Sequence, residues 1–550
     1  MNDLVVANAT TTWHDGGTAL FRPNGEIIAM ASERVADRFK HTWDSRPAYE
    51  YLRKRLPNEI FGGRLDGFRD TSQGLENTDH HLYHAANSFY FSGFSQAAIL
   101  VVDGQGPEGD HLSCTTIWRG HRSRGLDLVE DIHPSTGVFA ERSVGHFYSA
   151  VGALAGMKEL FCEGRTMALA SYGRPSPFLD RLRADVCSMP DGRYEINPLL
   201  TRSILAHTLG RWFYQWPAPA PEEAAVWTEL QKLRSQTDAR WPSQDDMDIA
   251  FAGQRLLEEI MLGLAARVRD LTGEQRLCIA GGVGLNCVAN EKVRRSGSFD
   301  EVFVGPTPSD DGQAMGRLFL ELGSHGIPIP VPPTAYLGLS YGPDEIERAI
   351  EQFSSAVEYT VTGTTEELVR RVAGLIAERK VVGWFQGRSE LGPRALGNRS
   401  ILADPRDRRM RDRLNDIKGR AWYRPIGPVI PLDRMPDFFV HGLASPFMSF
   451  AVQTREEATE TIPAAVHVDG TARVQTVTRS ENALLYELIT EFERRTAVPV
   501  LLNTSFNGPD EPIVETPVDA LRTFLRRRLD VLVLGHTIVL PRRRDMRRTR

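Results

Sequence analysis

The stretch AAILVVDGQGPEGDHLSCTTIW, residues 97–118, decides the fold. Its first six residues, Ala97–Val102, form an unbroken apolar run of strand length, which is typical of a buried strand. A polar, glycine-rich turn is predicted over Asp103–Gly109, and Ser113–Trp118 has the composition of a second strand. We therefore predict a strand, a turn and a strand, with the Asp103 carboxylate at the end of the first strand.

The same pattern occurs near the beginning of the chain. The strand-like segments Leu4–Asn8 and Thr18–Phe21 flank a polar turn, and a hairpin-type Asn24-Gly25 turn precedes Ile27–Ala31. Predicted helices follow later, including Asp248–Leu271, which completes an α/β pattern. A duplicated strand, turn and strand in such a domain predicts turns that meet around one ligand.

A proline-rich segment divides the chain into two predicted parts. The run IPIPVPP lies within residues 327–334 and is typical of an interdomain linker. We predict one domain over residues 1–326 and a second over residues 335–550. The second part also alternates predicted helices and strands, so both domains are expected to be α/β.

Composition narrows the function classes. The 550 residues are 41% hydrophobic and 25% charged, which is ordinary for a folded protein and argues against disorder as the main state. The net charge of −6 repels nucleic acid, so we expect no nucleic-acid partner. Apolar runs are far shorter than the roughly 20 residues that span a bilayer, and no signal-peptide pattern is seen. We therefore expect a cytoplasmic protein with no membrane partner.

Two histidines in TDHHLYHAANSFYFSG, residues 78–93, suit a metal site. On a helix, His80 and His84 are one turn apart and share a face. Asp103 ends a predicted strand, and Asp310 begins DDG before another helix. Two imidazoles and two carboxylates suit Fe, Mn or Zn. Taken singly, the histidines are equally consistent with a capped surface helix, and each aspartate with a turn or cap.

Two glycine-rich segments lead to different predictions. Gly104–Gly109 matches GxGxxG after a strand, but Pro107 and the strand-like residues beyond it predict a hairpin and argue against a dinucleotide site. The second segment, GGVGLN at Gly281–Asn286, links a predicted strand to a helix. That position favours an anion or the edge of a nucleotide, with a tight packing turn as the alternative.

Polar residues elsewhere predict catalysis and anion binding. His14 has a side chain that titrates near neutrality and suits a general base, and Lys40 suits a carbonyl or phosphate group; both are equally consistent with solvated loop residues. Residues 388–424 hold eleven Lys/Arg and five Asp/Glu. Cations among glycines and prolines predict an anion pocket here, whereas Arg406–Arg413 is also consistent with a solvated helix face.

These motifs together resemble the O-carbamoyltransferases of antibiotic and nodulation-factor biosynthesis. The matching stretches occur in the family's order and span nearly the whole chain. They are His14-Asp15, Glu33-Arg34 with Lys40-His41, HHLYHAA (80–86), VVDGQG (101–106), EGRTMALASYG (163–173), AGGVGLNCVAN (280–290), SDDGQAMG (309–316), GRSELGPRALGNRSILADPR (387–406), KGRAWYRP (418–425), HVDGTARVQTV (467–477) and LLNTSFNG (501–508).

The resemblance implies an actin/sugar-kinase-like duplicated N-terminal domain and a YrdC-like C-terminal domain. The C-terminal domain would convert carbamoyl phosphate and ATP, with Mg²⁺, into carbamoyl adenylate. The N-terminal domain would pass the carbamoyl group to a hydroxyl of a small, antibiotic-like natural product. Fe(II) or a similar divalent ion would be held by His80, His84, Asp103 and Asp310. The neighbours His81 and Asp311 compete for this assignment.

Further roles follow from the resemblance together with residue chemistry. His14 is the candidate base for the acceptor hydroxyl, and Lys40 is a candidate ligand of the adenylate. The glycine turn is expected to cradle adenosine, and the basic segment to bind phosphates. The nucleotide- and phosphate-binding candidates are Gly281, Gly282, Val283, Asn286, Arg388, Arg394, Lys418, Arg420, Arg424, Arg473, Asn503 and Ser505.

Two other function classes compete with small-molecule carbamoylation. One is a tRNA-modifying carbamoyl or threonylcarbamoyl transfer enzyme, and the other is an inactive scaffold that binds a nucleotide or a metal. The negative net charge and the few aromatic residues of the basic segment argue against RNA. The presence of each expected polar residue argues against an inactive scaffold.

Overall fold

The computed structural model describes residues 5–9, 16–22, 24–36, 46–56, 79–137, 139–158, 161–208, 219–235, 241–509 and 511–542. Within these ranges no helix is long and apolar enough to cross a membrane. The chain forms two compact units. The first is drawn from residues 1–8, 13–64 and 332–550, and the second from residues 9–12 and 65–331.

The elements are given in chain order. The N-terminal stretch contains β1 (Val5–Ala9), β2 (Gly17–Phe21), β3 (Ile27–Ala31) and a helix over Arg46–Arg55. The strands of the second unit are β4 (Gln96–Glu108), β5 (His111–His121), β6 (Gly125–Ile132), β7 (Val186–Ser188), β8 (Tyr194–Ile196), β9 (Arg276–Ala280) and β10 (Glu301–Val304). Its helices span His80–Ser92, Val144–Leu154, Glu163–Ala170, Pro177–Arg183, Pro198–Thr208, Pro221–Lys232, Gln244–Thr272, Cys287–Arg295 and Gln313–Ser324.

The C-terminal stretch returns to the first unit. Its strands are β11 (Val357–Val361), β12 (Val382–Phe385), β13 (Arg399–Ala403), β14 (Gly427–Pro431), β15 (Ala451–Gln453), β16 (Thr471–Arg473), β17 (Gln475–Val477), β18 (Leu501–Ser505), β19 (Val531–Leu534) and β20 (Thr537–Pro541). Its helices span Pro343–Glu351, Thr365–Ala377, Arg409–Lys418, Met435–Phe438, Glu456–Thr461, Ala483–Thr496 and Pro517–Arg527.

A mixed sheet forms the centre of the first unit, with strand order β11-β20-β19-β12-β13-β18-β14-β17. Its inner strands, such as β12 and β13, are buried along their whole length. This is expected where both faces of a sheet are covered. The N-terminal strands form a separate sheet in the order β1-β2-β3.

Two arginines, the buried Arg34 and the half-buried Arg388, join the N-terminal strands to the C-terminal part of the first unit. Arg388 donates to the carbonyl oxygen of Ile27 at 2.6 Å and pairs with Glu26 at 2.8 Å. Arg34 donates to the carbonyl oxygen of Gly392 at 2.9 Å. A guanidinium that is removed from water gains from carbonyl acceptors for its N–H groups, so these bonds help to explain why two distant stretches of the chain form one unit.

A second network shapes the loop between β12 and β13. Glu390 Oε1 accepts main-chain N–H bonds from Leu396 at 2.6 Å and from Asn398 and Arg399 at 3.2 Å each. The fully buried Arg399 guanidinium lies 3.7 Å from the centre of the Phe385 ring. Much of the polar sequence in 387–406 therefore holds its own loop in shape.

The second unit contains a sheet with strand order β10-β9-β4-β5-β6. Strands β4, β5 and β6 are antiparallel neighbours, while β9 runs parallel to β4 and β10 parallel to β9. The long helix Gln244–Thr272 begins at Ser243, whose hydroxyl caps Asp246 N, and ends at Gly273 with φ of 69°.

The predicted α/β class is confirmed, but the predicted turn over Asp103–Gly109 is wrong. β4 continues to Glu108 through a bulge: Val102 pairs with Thr115, and Gly106 pairs with Ser113. Three residues of β4 therefore lie opposite one residue of β5. A bulge redirects side chains without ending the strand, which explains how Asp103 leaves the ladder while pairing continues.

The compact units differ from the simple division predicted at the linker. Their boundary between Val331 and Pro332 lies within the predicted linker, 327–334. The N-terminal stretch 13–64, however, groups with the C-terminal residues. The division into activities over 1–326 and 335–550 remains a prediction.

Candidate metal centre and cationic cluster

The helix His80–Ser92, called here the histidine helix, presents both predicted histidine ligands. It begins after Asp79 and ends at Gly93, which has φ of 78°. The carboxylate of Glu108 accepts the main-chain N–H of His81 at 2.7 Å, so a side chain of β4 satisfies a donor in the first turn of the helix. This bond connects the histidine helix to the strand that carries Asp103.

Four buried side chains converge in the second unit. His80 Nε2 lies 3.1 Å from Asp103 Oδ2, and His84 Nε2 lies 3.2 Å from Asp310 Oδ1. The two Nε2 atoms are 3.2 Å apart. One nitrogen or oxygen atom from each residue lies within 4.8 Å of all the others. This is the set His80, His84, Asp103 and Asp310 that the family resemblance implied.

The chemistry of these groups fits a divalent metal ion. Two imidazole Nε2 atoms 3.2 Å apart can bind one divalent cation together, because two metal–nitrogen bonds of about 2.1 Å each can span that separation. Burial by itself lowers the pKa of His80. The carboxylates of Asp310 and Asp103 outweigh this effect and raise the pKa to about 10. Burial raises the pKa of Asp103, but bonds from His80 and His84 hold it well below its usual value. The Asp103 and Asp310 carboxylates therefore lie directly beside the two imidazoles, and this combination of ligands suits a divalent metal ion.

His81 and Asp311, the two neighbours that could be mistaken for metal ligands, have other hydrogen-bond partners. His81 Nδ1 lies 2.8 Å from Thr116 Oγ1, and burial lowers the pKa of His81 to about 3. Asp311 accepts a bond from the Ser309 hydroxyl at 2.8 Å. Within the part of the chain that the structure describes, neither residue belongs to the converging set.

Glycines allow close packing around these ligands. The His80 ring lies against Gly106, where an added Cβ would meet His80 Cδ2 at 2.1 Å. Gly282 donates its main-chain N–H to Asp103 Oδ1 at 2.7 Å. Gly281, with φ of 85°, lies so close to Val102 that a Cβ would meet that residue's carbonyl oxygen at 2.2 Å. The glycine turn therefore contacts the strand that carries a candidate ligand.

In the first unit, arginines gather near the segment KGRAWYRP. Partial burial lowers the pKa of Arg420 well below its usual value, and the positive charges of Arg424 and Arg473 lower it further. Arg420 Nε donates to Asn415 Oδ1 at 2.7 Å, which fixes its direction. We call Arg420, Arg424 and Arg473 the cationic cluster. The repulsion among these three positive charges favours the binding of an anion.

Comparisons with known proteins identify the family to which this chain belongs. The family model "Carbamoyltransferase N-terminus" matches residues 48–318, and "Carbamoyltransferase C-terminus" matches residues 373–540. Nodulation protein NolNO of Sinorhizobium fredii is 35% identical over 89% of this chain and 67% of that protein. Nodulation protein NolO of Bradyrhizobium diazoefficiens is 35% identical over 84% of this chain and 79% of its own.

This chain belongs to the carbamoyltransferase family. It is an enzyme of that family, as the sequence resemblance predicted. Among solved structures, the carbamoyltransferase is similar to HypF of T. kodakarensis, with a TM-score of 0.32 and 14% identity over 59% of this chain and 48% of that chain.

Two other predicted binding residues of the carbamoyltransferase, Lys418 and Asn503, have partners elsewhere in the first unit. Lys418 Nζ donates to Ser505 O at 2.5 Å and to Ser505 Oγ at 3.0 Å. Asn503 donates to the Ala395 carbonyl oxygen at 3.1 Å. Arg394 lies half-buried in the loop between β12 and β13. Lys418 and Asn503 thus connect segments of the first unit, and the phosphate-binding roles of all these residues stay predictions.

The contacts of Arg388 do not favour its predicted role in phosphate binding. Besides Ile27 and Glu26, it donates to the carbonyl oxygens of Leu337 and Gly338, each at 2.8 Å. The guanidinium is thus occupied by contacts that join β3 and the residue before it to the segment Leu337-Gly338. Sequence reasoning predicted a phosphate ligand because arginine suits both tasks, and a motif alone cannot separate them.

The glycine turn also differs in detail from its predicted use. Asn286 caps the helix Cys287–Arg295 by accepting Ala289 N–H at 3.0 Å, and its amide exchanges hydrogen bonds with Gln254. Val283 is buried. Adenosine binding at this turn stays a prediction. His14 and Lys40 lie outside the described residues.

Sequence reasoning missed two side chains beside the metal centre. Glu108 anchors the histidine helix, and His146 lies next to Gly104. Neither belongs to a spacing pattern that indicates a ligand. The sequence predicted that the strand ends before Glu108. In the structure the strand continues through the bulge, and this continuation places Glu108 next to the histidine helix.

Proposed function

We propose that this carbamoyltransferase uses ATP to activate carbamoyl phosphate and transfers the carbamoyl group to a hydroxyl of a small natural product. The observation that carries the proposal is the pairing of two chemically different sites in one chain. One is the buried set of two imidazoles and two carboxylates, and the other is the cationic cluster. The family resemblance supplies the order of the two reactions.

The cationic cluster would serve the activation step. Carbamoyl phosphate first yields carbamate and phosphate with water. A carbamate oxygen then attacks the α-phosphorus of ATP, and pyrophosphate leaves to give carbamoyl adenylate. Carbamate is an anion, and every other species of this step carries phosphate charge; Arg420, Arg424 and Arg473 would offset this negative charge. Mg²⁺ would accompany ATP.

The four-residue centre would serve the transfer step. A divalent ion such as Fe(II), held by His80, His84, Asp103 and Asp310, would supply Lewis acidity that polarises the carbamoyl carbonyl. Glu108 and Gly282 keep the ligand-bearing elements in place. The acceptor oxygen then bonds to the carbamoyl carbon, and the bond from that carbon to the phosphate oxygen breaks, releasing AMP. His14 is the proposed base for the hydroxyl proton, and Lys40 a proposed ligand of the adenylate.

Separate assays of the two steps test the proposal. The full chain is mixed with ATP, carbamoyl phosphate, Mg²⁺ and Fe(II), and carbamoyl adenylate and pyrophosphate are measured by mass spectrometry. Transfer is then assayed with a panel of hydroxylated antibiotics. Arg473→Gln should lose adenylate formation, whereas His84→Gln should keep it and lose transfer.

A matched control is Arg479→Gln, which changes an exposed arginine paired with Glu487 on the same unit. It should leave both steps unchanged. Carbamoylation of tRNA in place of the antibiotics would support the RNA-modifying alternative. ATP binding by a loaded, folded protein with no adenylate in the presence of acceptors would support the scaffold alternative.

A further inference from the structure

Strand β11 is the outer strand of the eight-stranded sheet in the first unit. It pairs antiparallel with β20 over five consecutive residue pairs, from Val357 with Pro541 to Val361 with Thr537. No bulge interrupts these pairs, and β11 contains no proline. Bulges and prolines are among the features that keep an edge strand from pairing with another chain. The outer edge of β11 therefore keeps the geometry that a further strand requires.

The hydrogen bonds at the two ends of this pairing show which residues of β11 face outward. Arg542 N donates to Ala356 O at 2.8 Å, and Thr362 N donates to His536 O at 3.0 Å. Hydrogen-bonded pairs alternate along an antiparallel ladder, so the even-numbered residues between these ends bond to β20. The main-chain N–H and C=O groups of the odd-numbered residues consequently point away from the sheet.

Four main-chain groups on this edge are open, namely the N–H and C=O groups of Tyr359 and Val361. Within the residues that the structure describes, none of the four has a hydrogen-bond partner in the protein. Val357 differs, because its N–H already donates to Phe353 O at 3.1 Å. Tyr359 and Val361 are also 50% and 62% exposed. Two large side chains and four main-chain groups therefore face solvent side by side.

We propose that β11 pairs antiparallel with β11 of a second copy of this chain, across a two-fold axis at Thr360. In this register Tyr359 of each copy lies opposite Val361 of the other, and the two residues exchange both main-chain hydrogen bonds. Thr360 lies opposite its own copy, and Glu358 lies opposite Thr362, so no like charges meet. An aromatic side chain opposite a β-branched one and two opposed threonines are stabilising cross-strand pairs.

Self-complementarity favours a second copy as the partner. The four open groups of one copy meet the four of the other, and none is left over, as a two-fold interface made from one surface requires. A register centred on Tyr359 would instead place Val361 opposite Val357, whose N–H is already bonded. The Val361 carbonyl group would then lack a donor in both copies. Pairing at Thr360 joins the eight-stranded sheets of two copies into one continuous sheet.

A cysteine cross-link tests both the partner and the register in the full chain. The exposed Cys187 is first changed to Ser, because the other native cysteines are buried. Opposed residues of a pair without mutual hydrogen bonds have Cα atoms about 4.5 Å apart, which a disulfide can span. Thr360→Cys should therefore form a disulfide-linked dimer under mild oxidation. In the matched control, Glu358→Cys, the two new thiols would lie roughly 13 Å apart, too far for a disulfide.

Sedimentation velocity at several protein concentrations tests the interface without a cross-link. Val361→Pro removes an outward N–H group and costs no hydrogen bond to β20, so the strand itself is expected to tolerate it. This variant should raise the dissociation constant of the dimer at least about tenfold. Val361→Thr is the matched control, because it keeps the N–H group and the branched side chain. Circular dichroism of each variant establishes that it is folded.

Three results would overturn the inference. The first is a wild-type chain that stays monomeric up to about 100 µM, where even a small, transient interface is populated; the edge would then be open or would accept a strand of another protein. The second is an equal dissociation constant for wild type and folded Val361→Pro, because another surface would then hold the dimer. The third is equal cross-linking of Thr360→Cys and Glu358→Cys, which random collision predicts.

Discussion

Gly282 N–H lies 2.7 Å from Asp103 Oδ1, the carboxylate oxygen that does not face His80. The two oxygens of Asp103 therefore have different partners. Oδ1 accepts a hydrogen bond from the main chain, and Oδ2 faces His80 in the candidate metal centre. A main-chain donor cannot change rotamer, so it fixes the carboxylate more strictly than a side chain would. The glycine turn found between β9 and the next helix thereby orients a candidate metal ligand.

We predict that Gly282→Ala weakens metal binding. A Cβ at this position would lie 2.9 Å from Asp103 Oδ1, and the carboxylate would have to move. The dissociation constant for Fe(II) or Zn(II) should rise about tenfold. Competition with a chromophoric chelator measures it. Gly164→Ala is the matched control, because nothing lies within 4 Å of its added Cβ; an effect of equal size there would contradict the explanation.

Gly106→Ala should have a larger effect. Its Cβ would lie 2.1–2.7 Å from three atoms of His80, so the ring must leave its place. We expect metal affinity to fall about 10- to 100-fold while the protein remains folded. Circular dichroism and metal titration of the same sample distinguish loss of the site from loss of the fold. Wild-type affinity in the folded variant would show that His80 is not a ligand.

Metal removal should lower thermal stability. Two carboxylates and two imidazoles are buried together, and an ion that binds only the folded state stabilises it by mass action. At a free concentration 100 times the dissociation constant, the gain is about 2.7 kcal/mol. Scanning calorimetry with and without EDTA should show a lower Tm in EDTA. His84→Gln should be insensitive to the chelator.

Arg388→Ala should act through stability. The variant loses bonds to main-chain carbonyl groups and to Glu26 that connect distant stretches of the first unit. We expect a loss of about 1–3 kcal/mol in the free energy of unfolding, measured with urea. At a temperature where it remains folded, adenylate formation should stay near that of wild type. A stable variant without adenylate formation would restore the phosphate role.

Thiol reactivity should separate the cysteines. Burial raises the pKa of Cys114, Cys162 and Cys278 to about 12, so at pH 8 they are almost entirely in the less reactive thiol form. Cys187 is exposed. Iodoacetamide at pH 8 should therefore label Cys187 first, as peptide mass spectrometry can show. In Cys187→Ser that fast phase should vanish, whereas its persistence would place a reactive thiol elsewhere.

Local patterns were enough to predict many elements of the fold. Apolar runs and turn residues predicted β2, β3 and β9, and the helix predicted over Asp248–Leu271 lies within the observed helix Gln244–Thr272. These features depend on neighbours within a few residues, which the sequence displays directly. The bulge in β4 was not predicted, because Asp103–Gly109 has the composition of a turn and only pairing with β5 keeps it extended.

The sequence by itself determined the family and the four side chains of the candidate metal centre. Both could be predicted because the family's motifs occur in this chain in the family's order, and the four side chains lie within those motifs. The tertiary structure decided that His81 and Asp311 lie outside the converging set, and that Arg388 connects β3 to the C-terminal part of the first unit. It also placed Glu108 and His146 beside residues far away in the chain. Such contacts depend on long-range packing: one guanidinium or imidazole can serve several tasks, and its surroundings select among them.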